Sequence, residues 1–368
     1  MTDALLVLGT GQLGLMMAQA GAALGISVDR LDIAEGLLYP GTSSYALPVM
    51  PTQVRDRYAQ VTVEREDLLE DPLLVEWVPQ LMKETVGWAG LCRRDWQKSL
   101  LDALGLATAP WHRLASSDDL DRARSAWGGV VIKRSRGGYD GRGQWQLRDG
   151  QPAGLPDDVY GHAIAEAMID FSAEVSLVGA RTREGQCLFY PLTQNWHDQG
   201  ILRVSHAPAR AAVDWQQQAE AMLSTLMHGV DYVGVMGMEC FVTDAGLLIN
   251  EIAPRVHNSG HWTQAGTDLD QFALHVRCHC GVPVHAPRVR GESLMVNLIG
   301  HPLNKDLLTA DGVDLHWYGK AVRPGRKLGH VNVQALNRSA LLEKAGALTP
   351  LLDVEARAVL TDVLQALT

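Results

Sequence analysis

The chain has 368 residues, 46% of them hydrophobic, with a formal net charge of −10 and five cysteines. That length and apolar content allow two or three domains with cores of their own and exclude a disordered chain. The negative balance disfavours a broad nucleic-acid or membrane surface, so an anionic ligand has to be held by local cations. Cys92, Cys187, Cys240, Cys278 and Cys280 show no framework spacing. Neither a signal-peptide pattern nor an apolar run of about 18 residues is present, so the expected setting is a reducing cytoplasm.

Ala4 to Leu8 is predicted as a strand, followed by Gly9-Thr10-Gly11-Gln12-Leu13-Gly14, a helix to Leu24 and a strand at Ile26 to Ile33. This βαβ opening offers backbone N–H groups and a helix N-terminus to an anion. Asp32 stands where a dinucleotide fold places its ribose-binding acid. No later segment supplies a hydride-transfer site, so the phosphate of a ribonucleotide fits the loop better than a nicotinamide cofactor. Gln60 to Glu64 reads as a strand, Asp67 to Lys83 as helical turns broken by Pro72 and Pro79, and Arg94 to Leu104 as an amphipathic helix.

Thr108-Ala109-Pro110 breaks the chain, and a small α+β unit is expected to about residue 180. Within it Val130 to Lys133 is a β-branched strand that fixes a lysine at its end, suited to nucleotide phosphates. Gly137, Gly138, Gly141 and Gly143 then make a loop able to close over those phosphates. It is neither a Walker loop nor part of a kinase signature. Ala163 to Ile169 is an apolar strand with one acid, Glu166, and suits an adenine pocket. A strand from Ser172 to Ala180 carries Glu174.

A third unit is expected from residue 181, with strands at Cys187 to Thr193 and Ile201 to Ala207 and a helix at Asp214 to Gly229. Two apolar runs, Gly234 to Val242 and Leu247 to Ile249, flank an Asp244-Ala245-Gly246 turn and predict a hairpin. That hairpin can bring Glu239 and Glu251 onto one face, where two carboxylates repel unless a cation such as Mg²⁺ neutralises them. Arg255, just beyond, puts a fixed cation where an oxyanion would lie. His275, Cys278, His279 and Cys280 do not converge on one side of their predicted helix, which argues against zinc. Lys320, Arg323, Arg326 and Lys327 cluster around Pro324-Gly325 and suit a phosphate monoester.

A strand-end Lys, a glycine-rich loop, an acid-bearing adenine strand and paired Glu residues closing on Asn-Glu together resemble the ATP-grasp ligases. Gly-Gln-Leu-Gly, Gly-Gly-Tyr-Asp-Gly-Arg-Gly-Gln, Glu-Val-Ser-Leu-Val-Gly-Ala-Arg, Ala-Pro-Arg-Val-His-Asn-Ser-Gly-His-Trp-Thr and Arg-Pro-Gly-Arg-Lys-Leu-Gly-His narrow the resemblance to the N5-carboxyaminoimidazole ribonucleotide synthetase branch. It spans residues 1 to 335. Other ATP-grasp branches would share the nucleotide half but not His257 to Thr263. A nonenzymatic regulator would have lost Glu239, Glu251 or Arg255.

The resemblance implies an α/β, three-domain ATP-grasp fold with a Rossmann-like, biotin-carboxylase-like N-terminal domain. Its divisions would be 1–109, a small ATP-lid domain at 110–180 and a catalytic domain at 181–368. It implies ATP-dependent carboxylation of 5-aminoimidazole ribonucleotide by bicarbonate through carboxyphosphate, in purine biosynthesis, with Mg²⁺ or Mn²⁺, in a cytoplasmic homodimer. ATP would contact Arg94, Lys133, Gly138, Tyr139, Asp140, Gly141, Arg142, Gly143, Gln144, Glu166, Ala167, Met168, Ile169, Glu174, His197, Asn250 and Glu251. Gln12, Leu13, Tyr139, Asp140, Arg142, His257, Asn258, Ser259, Lys320 and Arg326 would serve ribonucleotide and bicarbonate. Arg255, Tyr139 and Asp140 would be catalytic, and Glu239 with Glu251 would hold the metal.

Overall fold

The computed structural model describes residues 4–79, 89–137, 143–148, 150 and 154–368. Leu5–Leu8 (β1), Val28–Asp32 (β2), Leu37–Tyr39 (β3), Leu47–Pro48 (β4) and Gln60–Val63 (β5) form one sheet in the order β4-β3-β2-β1-β5. β1 runs parallel to both β2 and β5, and β3 and β4 are added antiparallel. The four residues of β1 are fully buried, as expected of a strand covered on both faces. The Gln12–Ala22 helix follows β1, so the crevice beyond the carboxyl ends of β1 and β5 is where such a sheet takes a ligand.

Trp111–Leu114 (β6), Val130–Arg134 (β7), Gln144–Leu147 (β8) and Ala163–Ala167 (β9) make a small antiparallel sheet, order β6-β9-β7-β8. The third sheet is built from Ala173–Arg181 (β10), Cys187–Phe189 (β11), Thr193–Asp198 (β12), Ile201–Ala207 (β13), Gly234–Thr243 (β14), Gly246–Ala253 (β15), Glu292–Ile299 (β16), Val313–Trp317 (β17) and Lys327–Ala335 (β18). Its order is β15-β14-β10-β12-β13-β16-β18-β17, with β11 added on β10.

Several expected boundaries shift. β10, expected in the small unit, pairs with β14 over nine residues and belongs to the large sheet. The single strand expected from Cys187 to Thr193 is two strands, because Pro191 lies between them and cannot donate to a ladder. The helix expected from Asp214 starts at Gln216 after a 3₁₀ turn at Arg210–Trp215. The helical turns expected from Asp67 are a 3₁₀ turn at Glu66–Glu70 and a short helix at Leu74–Trp77; residues 80–83 of that stretch lie outside the described residues.

Helix ends are set by local chemistry. The Gln271–Cys280 helix is capped by Asp270, whose Oδ1 accepts from the N–H groups of Phe272 and Ala273 at 2.8 and 3.0 Å. Its C-terminus closes on Gly281 at φ 62°. Phe272 and Val276 of this helix pack with Leu13, Met16 and Met17 of the first helix in one core. The Arg338–Leu348 helix buries Leu341 against β16 and β18, and the Val354–Leu367 helix buries Leu360 and Val363 against β13 and β16.

Candidate active site

The Arg94–Ala103 helix is docked on β15 by Gln97, whose amide donates to the carbonyl of Ile252 at 3.1 Å and accepts from its N–H at 3.3 Å. Docking brings the next helical face, Arg94 and Lys98, against the small sheet and the β14–β15 hairpin. Lys98 Nζ lies 3.0 Å from Glu166 Oε1, and Lys133 Nζ lies 2.7 Å from Glu166 Oε2. All three are buried. Burial alone would push the Glu166 carboxyl up, but Lys133 and Lys98 outweigh it and hold it at about 2. Lys133 also donates to Asn250 Oδ1 at 2.8 Å.

In β15 the pairing register slips between Glu239 and Cys240: Glu239 faces Glu251, while Cys240 faces Ile249. Asn250 is the extra residue of this bulge. In a regular strand Asn250 and Glu251 would point to opposite faces, and the bulge re-aims them. Asn250 reaches Lys133, and Glu251 accepts from both terminal nitrogens of Arg94 at 3.2 Å.

Glu239 sits in the next row inward, with Ser176 as its partner on β10. Burial pushes its carboxyl up to about 6; His197 opposes the rise, and Glu251 and Glu174 add to it. Such a crowd of carboxylates suits a divalent cation, which would let Glu239 ionise fully. Glu174 Oε2 is 3.2 Å from His197 Nδ1, and burial lowers the His197 pKa less than Glu174 and Glu239 raise it. His257 Nε2 is 3.6 Å from Glu239 Oε1. Asn258 Nδ2 is buried without a hydrogen-bond partner among the described residues, a donor free for a ligand. Arg255 Nε pairs with Glu66 Oε1 at 2.7 Å and so faces the N-terminal unit. Burial lowers its pKa, but Glu66 and Glu251 raise it more, which puts Arg255 within electrostatic reach of Glu251.

The N-terminal crevice holds a correction. The N–H of Gly11 donates to Glu64 Oε1 at 2.6 Å and that of Gly14 to Glu64 Oε2 at 2.9 Å. Glu64 follows β5, so the neighbouring strand delivers the protein's own carboxylate to the loop expected to receive a phosphate. Gly9 and Gly11 leave room for it: an added Cβ would lie 2.3 Å from Glu64 Cγ or 2.6 Å from Glu64 Oε1. Asp32, expected as a ribose ligand, accepts from the N–H of Glu35 in its own turn at 3.2 Å.

Gln12, at the start of the same helix, accepts from Lys320 Nζ. Lys320 also lies 5.5 Å over the Tyr318 ring. Its pKa is lowered by burial first and then by Arg326, so two cations converge here. Arg326 itself donates to the carbonyl of Ala321 at 3.3 Å. The Leu13 side chain is in the core, which leaves only its backbone for a ligand.

Other expectations are altered in detail. Glu166, expected to read adenine or ribose, has both oxygens engaged by lysines. The N–H groups of Ala167 and Met168 donate to Pro110 and Gly129 at 2.8 and 3.0 Å, so they cannot read the base edge. Gly143 closes the β7–β8 hairpin, its carbonyl accepting from the N–H of Arg134 at 2.9 Å, and Gln144 pairs with Lys133. Gly138, Tyr139, Asp140, Gly141 and Arg142 lie outside the described residues. His275 uses both ring nitrogens, Nδ1 accepting from the N–H of Val235 and Nε2 bonding Thr62 Oγ1, each at 2.9 Å.

Lys98, Glu64 and Glu66 carried no functional expectation, and Lys327 carried too narrow a one. Lys98 had a signal, since it follows Arg94 by four positions on one helical face. Lys327, the first residue of β18, was noticed only as part of the basic turn, yet its charge acts on Glu239, His257 and Lys320 at once. Glu64 and Glu66 had no local signal, because their partners are 50 or more positions away.

The chain matches the ATP-grasp domain family over residues 99–272 and the phosphoribosylaminoimidazole carboxylase C-terminal domain family over residues 293–344. It is 47% identical over 352 residues to the N5-carboxyaminoimidazole ribonucleotide synthase of Escherichia coli, covering 95% of each chain. The crystal structure of N5-carboxyaminoimidazole ribonucleotide synthetase from Thermus thermophilus superposes with a TM-score of 0.83 at 35% identity, over 95% of this chain and 98% of that one. A Staphylococcus aureus N5-carboxyaminoimidazole synthetase complexed with ADP gives a TM-score of 0.81 at 26% identity, over 94% of this chain and 96% of that one. The nucleotide half, the opposed carboxylates and the His-Asn-Ser segment thus occur together in a chain that belongs to the N5-carboxyaminoimidazole ribonucleotide synthases, ligases of the ATP-grasp superfamily.

Proposed function

We propose that the two halves of the site meet at Glu239, with ATP on the Lys133, Arg94, Asn250 and Glu251 side and 5-aminoimidazole ribonucleotide and bicarbonate on the His257, Asn258, Ser259, Gln12 and Lys320 side. The observation that carries this reading is the position of Glu239, opposite Glu251 in register and 3.6 Å from His257 Nε2. A bicarbonate oxygen attacks the γ-phosphorus, ADP leaves, and carboxyphosphate forms. The exocyclic amine of the ribonucleotide then attacks the carboxyl carbon of that intermediate, or of the CO₂ it releases; phosphate leaves with the bonding electrons and takes up the proton that the amine gives up.

Each residue's part follows from charge and placement. Arg94, now on Glu251, is placed to bind nucleotide oxygens, and a divalent cation held by that carboxylate would free it to do so. Lys133, pinned by Glu166 and Asn250, presents a fixed point charge to the phosphates. The resemblance assigns residues 138–144 to the nucleotide as well, and Tyr139, Asp140 and Arg142 to the acceptor too. Because Ala167 and Met168 use their N–H groups internally, base reading falls to Ile169 and to carbonyls of this segment. Arg255 steadies the carboxyphosphate. Bound Mg²⁺ or Mn²⁺, held by Glu239 and Glu251, would offset charge on the transferred phosphoryl group.

The working form is taken as a cytoplasmic homodimer that needs no nucleic acid or membrane. Among the described residues no helix is long and apolar enough to cross a bilayer. ADP release measured with and without ribonucleotide and bicarbonate tests the reaction. Release that requires both, with carboxylated ribonucleotide formed in step, supports it; ribonucleotide-independent release without product overturns it.

A further inference from the structure

A file of buried polar side chains runs from the candidate active site into the large sheet. Ser205 Oγ donates to Asn195 Oδ1 at 2.8 Å, and Asn195 Nδ2 donates to Ser176 Oγ at 2.9 Å. Ser176 Oγ donates to Ser259 Oγ at 2.7 Å, and Ser259 Oγ lies 2.8 Å from His257 Nδ1. Ser176, Ser205 and Ser259 have no exposed surface and Asn195 has 5%. The file crosses three adjacent strands, β13, β12 and β10, before it meets the turn that carries His257.

The direction of this file follows from one backbone group. The N–H of Ser259 points to His257 Nδ1 at 3.4 Å and can only donate, so Nδ1 is an acceptor and carries no proton. The Ser259 hydroxyl therefore also donates to Nδ1. Its single hydrogen is then committed, so its oxygen must accept from Ser176. Ser176 in turn accepts from the amide nitrogen of Asn195, and the amide oxygen faces Ser205. Every donor in the file has one consistent partner, and the neutral imidazole is left with its hydrogen on Nε2.

We infer that Ser176, Asn195 and Ser205 are positioning residues that hold the Ser259 hydroxyl on His257 Nδ1 and so reinforce the Nε2–H tautomer that the Ser259 N–H favours, so that His257 offers the bound bicarbonate or carboxyphosphate a hydrogen-bond donor and not a base. This rests on the placement of His257 in the acceptor half given above. The Ser259 N–H donating to Nδ1 is incompatible with a doubly protonated ring, so geometry itself calls for a neutral imidazole. A ring so fixed has no lone pair toward the reacting atoms, and it cannot take the proton that the attacking amine gives up. Its Nε2 instead lies 3.6 Å from Glu239 Oε1, on the side given above to the acceptor substrates.

The test begins without turnover. In protein labelled with ¹⁵N-histidine, two-bond ¹H–¹⁵N correlation should show His257, assigned by its loss in His257→Gln, with an unprotonated Nδ1 and a protonated Nε2. A protonated Nδ1 in the parent protein overturns the inference outright, whatever the reaction proves to be. Asn195→Asp keeps the shape but can only accept when ionised, so Ser176 turns to it and away from Ser259, whose hydroxyl is then free to leave Nδ1, and the Nε2–H tautomer rests on the 3.4 Å bond from the Ser259 N–H alone. That variant and Ser176→Ala should form at least roughly tenfold less carboxylated ribonucleotide per ADP released. Ser176→Thr should restore the ratio. Variants that bind ATP normally yet keep both the parental tautomer and the parental ratio would also overturn the inference.

Discussion

Glu239 and Glu251 stand opposite each other on β14 and β15, yet their surroundings differ: Glu251 is met by Arg94 at 3.2 Å, while burial keeps Glu239 protonated up to about pH 6. The folded-state pKa of Glu239 is raised above its ordinary 4.5, so ionising it weakens the fold. The penalty is absent below about pH 4.5 and grows as pH rises through 6. Glu239→Gln should therefore stabilise the metal-free protein at pH 8 by about 1–2 kcal/mol while abolishing turnover. Urea unfolding at about pH 8 and pH 5 checks this. An equal effect of the substitution at both pH values would mean that charge is not its cause.

Glu166 is the opposite case. Its carboxyl is held at about 2, below the ordinary 4.5, so its contribution is complete above about pH 4.5 and is lost as pH falls toward 2. Glu166→Gln leaves Lys98 and Lys133 buried without a counter-charge and should destabilise the protein by about 3–5 kcal/mol at pH 7. Lys98→Met leaves the Glu166–Lys133 pair intact and should cost less. Denaturation at about pH 7 and pH 3.5 should show the Glu166→Gln deficit shrinking in acid. A constant deficit would point to packing alone.

Patterns confined to one element were legible in the sequence. The apolar runs around Asp244-Ala245-Gly246 do form the β14–β15 hairpin, and its two acids do share a face. Lys133 and Asn250, both assigned to ATP by the resemblance, hydrogen-bond to each other. What escaped was side-chain commitment across distance. Nothing near Gly9 to Gly14 says that Glu64 fills the loop, and nothing near Arg255 says that Glu66 meets it. The bulge at Asn250 is likewise set by pairing with β14, not by its own residue type. β10 precedes the boundary expected near residue 180, yet it hydrogen-bonds to the distant strand β14, Gly234–Thr243, and joins the large sheet, a pairing that nothing in its own sequence announces.

The Glu64 nest makes its own prediction. Gly9→Ala meets two obstacles, a backbone at φ +110° and a Cβ 2.3 Å from Glu64 Cγ, whereas Gly11→Ala meets only the carboxylate at 2.6 Å. Combining each with Glu64→Ala separates the two effects. The cost of Gly11→Ala should largely vanish in that background, and Gly9→Ala should retain roughly 1–3 kcal/mol from its dihedral. Unfolding free energies of the single and double variants and the parent decide it; additive costs would show that Glu64 does not fill the nest in solution.

Lys320 and Arg326 were expected to share a phosphate, and their geometry now ranks them. Lys320 reaches across to Gln12 and is half-buried over Tyr318, whereas Arg326 is tied to Ala321 within its own turn. Arg326 nevertheless depresses the Lys320 pKa after burial does, so an anion placed between them relieves a repulsion already present. Removing a charge-assisted contact costs about 1.5–3 kcal/mol, which is roughly tenfold to a hundredfold in affinity. Lys320→Met should raise the apparent KM for the ribonucleotide by that factor while leaving ATP binding unchanged. Arg326→Lys keeps the charge but loses the planar fork, and should have a smaller effect in the same direction. Because both charges act on one anion, the parental KM should rise with ionic strength, and Lys320→Met should flatten that dependence. Substrate titration at saturating ATP and bicarbonate, at low and high salt, measures all of this. If Lys320→Met retains the parental KM and salt dependence, the 5′-phosphate does not bind between Gln12 and the basic turn.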